Sequence, residues 1–108
     1  MIKFLDGPAT GHTLPLREAP LYLRVAIGDP IRVLDGIKDK APPHDPIVVY
    51  FRANLEGYIN VQTRNENGGN WAIADYRLLA EQPVDEHLRT TAAWLAWLRD
   101  HPPYLHTT

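Results

Sequence analysis

The strongest constraint on the fold is a strict alternation in the segment "LYLRVAI", residues 21–27. Every second position carries Leu, Val or Ile, and Tyr22, Arg24 and Ala26 stand between them. This period of two is typical of a β-strand, whose successive side chains point to opposite faces of a sheet. The segment therefore predicts a half-buried strand, and a sheet to which that strand belongs.

The N-terminal part of the chain predicts a hairpin. Two short apolar runs, "IKFLD" and "HTLPL", flank a turn that contains glycine and proline. Pro15 cannot donate a ladder hydrogen bond, so the second run is expected at a sheet edge. The proline-rich connection "GDPIRVLDGIKDKAPPHDP" comes after the alternating segment, and one short strand is expected in it at residues 31–34.

A second hairpin is predicted in the middle of the chain. The segments "PIVVYFR" and "GYINVQT" are rich in apolar residues, and residues 54–56 between them are long enough for a tight turn. The polar segment "RNENGGN" supplies a further turn before a last strand, "WAIADYRLLA". These runs together predict an antiparallel meander.

One helix is predicted near the end of the chain, over residues 85–100. Acidic residues open this segment and Arg99 lies near its end, an arrangement that complements the helix dipole. Pro102 and Pro103 cannot continue the helix. At about 100° per residue, Trp97 falls at the margin of an apolar arc that is expected to pack on the sheet. That arc consists of Leu88, Thr91, Ala92, Trp94, Leu95 and Leu98.

The composition is that of an average globular protein. The chain has 108 residues, of which 44% are hydrophobic and 22% charged, and this length suits one domain with one core. We therefore expect a single α+β domain over residues 1–108, with a mostly antiparallel sheet of five or six strands at residues 2–79. The helix at residues 85–100 packs on one face of this sheet, and residues 101–108 form a tail.

What the sequence lacks excludes or disfavours several classes of protein. Without Cys or Ser, the chain offers no thiol or serine hydroxyl for covalent hydrolysis. Its five histidines are not spaced as a helical pair of metal ligands, so no metal or other cofactor is expected. A net charge of -2 disfavours nucleic acid as a partner. No apolar run reaches the roughly 18 residues of a membrane span, so no membrane partner is expected.

A predicted sheet face of mixed aromatic and polar character is the strongest candidate for function. Alternation along the strands separates an inward set of side chains from an outward set. The inward set is Leu23, Val49, Phe51, Ile59 and Val61. The outward set, here named the Tyr/Arg face, is Tyr22, Arg24, Tyr50, Arg52, Tyr58, Asn60 and Gln62. Tyrosine and arginine are enriched in binding hot spots, although such residues also stack across strands on an ordinary solvated face.

These observations favour a non-enzymatic module that binds another protein through the Tyr/Arg face. Trp97 is a second candidate for the contact, and self-association is left open. Two alternatives remain. One is a small metal-independent enzyme with acid–base residues drawn from Asp, Glu and His. The other is a single-stranded nucleic-acid binder whose tyrosines stack on bases, which the acidic balance disfavours.

Two resemblances involve the N-terminal segment "KFLDGPATG". The hairpin with Gly7, Pro8 and Gly11 resembles the first strand pair of forkhead-associated domains, but the Gly-Arg and Ser-x-x-His motifs with which that family reads phosphothreonine are absent. Together with the tryptophan-bearing helix, the segment is similar to small proteins of bacterial viruses and high-GC bacteria. This similarity implies a viral origin. In a viral setting, the binding module is expected either to inhibit or redirect a host factor or to serve as a small accessory subunit of the particle. The acid and two glycines near the start are unlike a secretory signal, so a cytoplasmic location, in the host if viral, is expected.

Overall fold

The computed structural model describes residues 1–34, 44–61 and 69–101. These residues contain one six-stranded sheet and two short helices. None of the helices in these ranges is long and apolar enough to cross a membrane. The strand order in the sheet is β2-β1-β6-β5-β3-β4. The elements are β1 (Ile2–Phe4), β2 (Thr13–Leu14), β3 (Tyr22–Ala26), β4 (Arg32–Leu34), β5 (Ile47–Val61), β6 (Gly69–Leu78), α1 (Asp85–Arg89) and α2 (Thr91–Asp100).

The predicted α+β class is confirmed. β1 and β2 form the predicted antiparallel hairpin, with Ile2 opposite Leu14, and the short strand expected at residues 31–34 is present as β4. β3 pairs antiparallel with both β4 and β5. β1 runs parallel to β6, with Lys3 opposite Asp75. The sheet is therefore mixed, because this pair is parallel whereas the pairs β1–β2, β3–β4 and β3–β5 are antiparallel.

The chain divides into two compact units. The first comprises Met1–Leu21 and Arg52–Leu78, and the second comprises Tyr22–Phe51 and Leu79–Thr108. β5 contributes residues to both units, and both helices belong to the second. The expectation of a single domain over the whole chain stays a prediction.

Tyr76 of β6 is central to the core of the first unit. Its side chain is fully buried, and its ring centroid lies 6.4 Å from that of Phe4. Its hydroxyl donates a hydrogen bond to the carbonyl of Pro20. This bond satisfies the polar group that the ring carries into the core. The other buried apolar residues of this unit are Ile2, Phe4, Ala9, Ala19, Ala72 and Ala74.

The core of the second unit is built on β3, of which every residue is buried. Leu23 of β3 and Val49 of β5 are buried, as their inward prediction requires. Phe51 is half-buried, and the predicted inward position of Val61 falls outside the described side chains. The other buried apolar residues of this unit are Tyr22, Val25, Ala26, Leu34, Ile47, Tyr50, Leu79, Leu88, Trp94 and Trp97.

β5 replaces the hairpin predicted in the middle of the chain. The prediction of a turn at residues 54–56 is wrong, because Ile47–Val61 form one continuous strand. Gly57 has a positive φ of 140°, which glycine adopts at little steric cost. This glycine therefore marks an irregularity within a strand rather than a turn. The predicted turn "RNENGGN" falls largely outside the described residues, and the last predicted strand is present as β6.

The prediction of a single helix over residues 85–100 is wrong, because the helix is interrupted at Thr90. Thr90 has an extended backbone, with φ -116° and ψ 149°. Its Oγ1 accepts a hydrogen bond from the N–H of Ala93 at 3.2 Å. Threonine is a favoured N-cap residue, because its hydroxyl satisfies an N–H that the first turn of a helix leaves without a partner. α2 therefore begins at Thr91 as a separate helix.

The interruption changes which helical residues are buried. Trp94 and Trp97 are buried, whereas Leu95 is 50% exposed and Ala92 is exposed. The predicted arc requires one continuous helix, but α2 begins independently of α1. The predicted arc is therefore wrong at Leu95 and Ala92. Residues 102–108 of the predicted tail lie outside the described residues.

The side chain of Gln82 takes the place of a neighbouring strand beside Val49. Its Oε1 accepts from the Val49 N–H at 2.9 Å, and its Nε2 donates to the Val49 carbonyl at 3.1 Å and to the Leu79 carbonyl at 2.7 Å. The Leu79 N–H also donates to the Val49 carbonyl, at 2.9 Å. Val49 is fully buried, so these bonds satisfy backbone groups that are costly to bury alone.

We expect Gln82→Ala to lower the free energy of unfolding by about 1–3 kcal/mol, because the Val49 N–H loses its partner. Gln82→Glu should also destabilise, since a carboxylate cannot donate to the two carbonyls. Urea denaturation followed by circular dichroism measures both effects. Glu81→Ala, at the exposed neighbouring position, is the control and should cost less than about 0.5 kcal/mol. An unchanged stability for Gln82→Ala would contradict this role.

Candidate binding surface on strand β5

Three members of the predicted Tyr/Arg face are buried, and the prediction that they are exposed is wrong. The exposed fractions of Tyr22, Arg24 and Tyr50 are 7%, 1% and 0%. Both helices contact Arg24. Its Nη1 donates to the carbonyl of Leu88 in α1 at 3.2 Å, and its guanidinium carbon lies 5.4 Å from the ring centroid of Trp94 in α2. The side of β3 that alternation assigns to solvent is therefore buried, and each helix provides a contact to Arg24.

Trp97, the second candidate, is a core residue and only 6% exposed. Its ring stacks on Trp94 and meets Tyr22 edge-on, with centroid distances of 5.2 Å in both cases. The ring of His101 stacks on Trp97 at 3.9 Å, and the His101 Nδ1 lies 2.7 Å from the Trp97 carbonyl oxygen. Burial raises the pKa of the Tyr22 hydroxyl. This cluster is therefore part of the core of the second unit.

The exposed part of the predicted face lies in the second half of β5. Residues 53–60, here named the exposed β5 segment, are exposed except for Gly57, which is half-buried. Three large side chains of this segment are accessible: Leu55 is 38% exposed, Tyr58 53% and Ile59 46%. The prediction that Ile59 points into the core is therefore wrong.

Two further members of the Tyr/Arg face, Arg52 and Asn60, lie beside or in this segment. Arg52 is half-buried, and its Nη1 donates to the carbonyl of Ala19 at 2.7 Å. Asn60 is exposed, and its Nδ2 donates to Oδ1 of Asn70 at 3.2 Å, which joins β5 to β6. Gln62 lies outside the described residues. The structure thus keeps together only the C-terminal part of the predicted face.

One edge of the exposed β5 segment has no strand beside it among the described residues. β3 pairs only with Ile47–Phe51 of β5, and the next contact on that side is a hydrogen bond of 2.8 Å from the Arg52 N–H to the Leu21 carbonyl. The other neighbour of β5 in the sheet is β6. Residues 53–60 therefore present backbone N–H and C=O groups at an open edge.

The exposed β5 segment carries little charge. Glu56 is the one residue of the segment that is charged at neutral pH. The segment contains no Lys, Arg or Pro. Lysine and proline are the residues with which proteins commonly block pairing at open edges. The Tyr76 hydroxyl lies near the segment, and burial raises its pKa. The charge of Arg52 lowers this pKa in part, and Tyr58 raises it. The edge therefore combines accessible apolar side chains with few groups that oppose pairing.

The two alternative functions, a small metal-independent enzyme and a single-stranded nucleic-acid binder, depend on different groups of side chains. Within residues 1–34, 44–61 and 69–101, no three His, Asp or Glu side chains are grouped in a way that could hold a metal ion. The acid–base enzyme needs no metal and stays a prediction. Of the three tyrosines on the predicted face, only Tyr58 is accessible for stacking on bases. This leaves the single-stranded nucleic-acid alternative with less support than the sequence suggests.

The sequence patterns predict Leu55 in a turn and Ile59 in the core, whereas both residues are exposed in one strand. An apolar residue in an alternating strand is expected to face the core. The physical reason for the exposure is the length of β5, which the structure shows and the sequence patterns do not predict. β3 has 5 residues and β5 has 15, so most of β5 extends beyond its pairing with β3.

Comparison of this chain with known protein families, with curated proteins and with solved structures gives no match. Within the part of the chain that the structure describes, the fold is a small α+β fold with an open, largely uncharged strand edge at residues 53–60.

Proposed function

We propose that this protein is a non-enzymatic binding module that recognises a protein partner through the exposed β5 segment. The observation that carries the proposal is an open strand edge that coincides with the accessible side chains of Leu55, Tyr58 and Ile59. An extended segment of a partner adds to such an edge as a further strand. Main-chain hydrogen bonds then supply affinity, and alternate side chains supply specificity.

The side chains of the segment support this mode of binding on both faces of the strand. By alternation, Leu55 and Ile59 share one face and Tyr58 lies on the other. Leu55 and Ile59 offer apolar area that is removed from water when a partner covers it. Tyr58 offers stiff aromatic area with a hydrogen-bonding end, as is common in binding hot spots. A cytoplasmic location and a viral origin stay predictions.

We expect the double variant Leu55→Ala/Ile59→Ala to bind its protein partner about tenfold more weakly or worse, since two apolar contacts are lost. The full chain is immobilised and exposed to a lysate of its source cells together with a tagged copy of the chain. Quantitative mass spectrometry compares the proteins retained by each variant. Leu95→Ala removes an equally accessible apolar side chain from α2 and is the matched control, which should retain them all.

Thermal unfolding separates loss of binding from loss of fold. Both variants should lie within about 1 kcal/mol of the original chain, because the substituted side chains are 38–50% exposed and belong to no buried core. If the double variant keeps the same proteins at the same level, the proposal is wrong. An equal loss with Leu95→Ala would also contradict it, since binding would then depend on general apolar adhesion.

A further inference from the structure

We propose that the occupant of the open β5 edge is a second copy of this chain, paired antiparallel about a twofold axis at Gly57; this rests on the proposed function of that edge. A twofold rotation brings the same edge of two chains together, so an antiparallel strand edge is complementary to itself. Whether such a pair forms depends on register, because register decides which side chains face each other.

The direction of the backbone groups limits the registers. Val49 directs its N–H and C=O to Gln82, away from β3, whereas the Arg52 N–H points to Leu21 on the opposite side. Continued alternation directs the backbone groups of the even-numbered residues between 54 and 60 to the open edge. In an antiparallel ladder, two residues that face each other either both direct their backbone groups toward the other strand or both direct them away from it. Even-numbered residues must therefore face even-numbered residues of the second copy.

Among the registers that meet this condition, the one centred on Gly57 gives each side chain a suitable neighbour. The two copies of Gly57 face each other in a narrow pair, where Cα atoms are about 4.5 Å apart. Apolar residues then face apolar residues, and amides face amides. In that register Leu55 faces Ile59, Glu56 faces Tyr58 and Asn54 faces Asn60 of the second copy.

The charge of Glu56 disfavours the neighbouring register on one side. A register centred on Glu56 places two carboxylates directly opposite each other, and like charges so placed destabilise a sheet. In the register centred on Gly57, the two carboxylates are offset by about 7 Å along the strands. At roughly one Debye length, their repulsion is largely screened. On the other side, a register centred on Tyr58 places Ile59 opposite Gly57, without an apolar side chain to face.

The size of the contact predicts a weak dimer. A ladder of eight residues per chain buries less surface than the roughly 1,200–2,000 Å² that specific, stable complexes bury. We therefore expect association that depends on protein concentration, with a Kd between about 1 μM and 1 mM. Residues 53–60 carry one charge and contain no Lys or Pro. They therefore lack the residues that commonly block pairing at a strand edge, and this favours the dimer.

A disulfide experiment on the full chain tests the register, because the chain contains no Cys. Leu55→Cys and Ile59→Cys are prepared as single variants and oxidised separately or as an equal mixture. We expect the mixture to give a linked dimer several times faster than either variant alone, since Leu55 faces Ile59 rather than itself and narrow pairs suit disulfide geometry. A mixture of Leu95→Cys with Ile59→Cys is the control and should react only at the rate of random collision.

Sedimentation equilibrium tests the pairing without a covalent link. Tyr58→Glu should weaken self-association by about tenfold, because each dimer then contains two pairs of facing carboxylates. Adding Glu56→Lys to that variant should restore association, since opposite charges then face each other in the same register. Equal rates in all disulfide mixtures, or no response to these charge changes, would overturn the inference.

A chain that stays monomeric to about 1 mM would also overturn it. In that case the capture experiment decides the proposed function separately. If retained proteins still depend on Leu55 and Ile59, an extended segment of a different protein occupies the edge, and only the second-copy inference fails. If they do not, both proposals fail.

Discussion

We expect Trp97→Ala to lower the free energy of unfolding by about 3–5 kcal/mol, a large part of the stability of a small protein. The Trp97 ring is buried and lies against the rings of Tyr22, Trp94 and His101. Alanine removes these contacts and leaves a cavity that the neighbouring residues close only in part. Chemical denaturation followed by far-ultraviolet circular dichroism measures the change without relying on tryptophan fluorescence.

Leu95→Ala is the matched control on the same helix. Leu95 is half exposed, so its loss should cost less than about 1 kcal/mol. A cost as large as that of Trp97→Ala would contradict the orientation of α2. Because Tyr22 belongs to β3, the comparison also tests the prediction that the C-terminal helical segment packs against the sheet.

Tyr50→Ala is expected to lower the free energy of unfolding by about 3–5 kcal/mol as well. Tyr50 is fully buried, and it lies opposite Leu23 in the part of β5 that pairs with β3. Removing the ring leaves a cavity in the core of the second unit. Thermal unfolding at several pH values near neutrality measures the loss.

Tyr58→Ala removes the same kind of side chain from the same strand. Tyr58 lies in the exposed β5 segment and more than half of it is accessible, so we expect a change within about 1 kcal/mol. The two variants together test the division of the predicted Tyr/Arg face. An equal loss of stability in the two variants would contradict this division. Two large losses would indicate that the whole strand is covered, and two small losses that the whole strand is open.

Local sequence patterns predict most of the strands. The alternation at residues 21–27 predicts β3, because a period of two suits a strand and not a helix. Glycine and proline between the first two apolar runs predict the hairpin of β1 and β2, because these residues favour turns. Pro83 and the acidic residues after it predict the start of the helical segment at Asp85.

The boundaries of the elements do not follow from the same patterns. Asn54 and Gly57 suit a turn, yet they lie within β5, because the preference of a residue for a strand depends on its neighbours in the sheet. Thr90 is compatible with a helix interior and with an N-cap, and the structure uses it as the cap of α2. Local preferences of this kind are worth about 1 kcal/mol, and tertiary contacts outweigh them.

The sequence by itself determined that Leu23 and Arg24 point to opposite faces of β3, because adjacent residues of a strand must do so. Only the tertiary structure decided that both faces are covered. The buried Arg24 donates a hydrogen bond to Leu88, which lies 64 residues further along the chain. In the same way, alternation in the sequence predicts an inward Ile59, but its exposure follows from the end of the pairing with β3 at Phe51. Periodicity is a local property of the backbone, whereas burial depends on which distant segments meet.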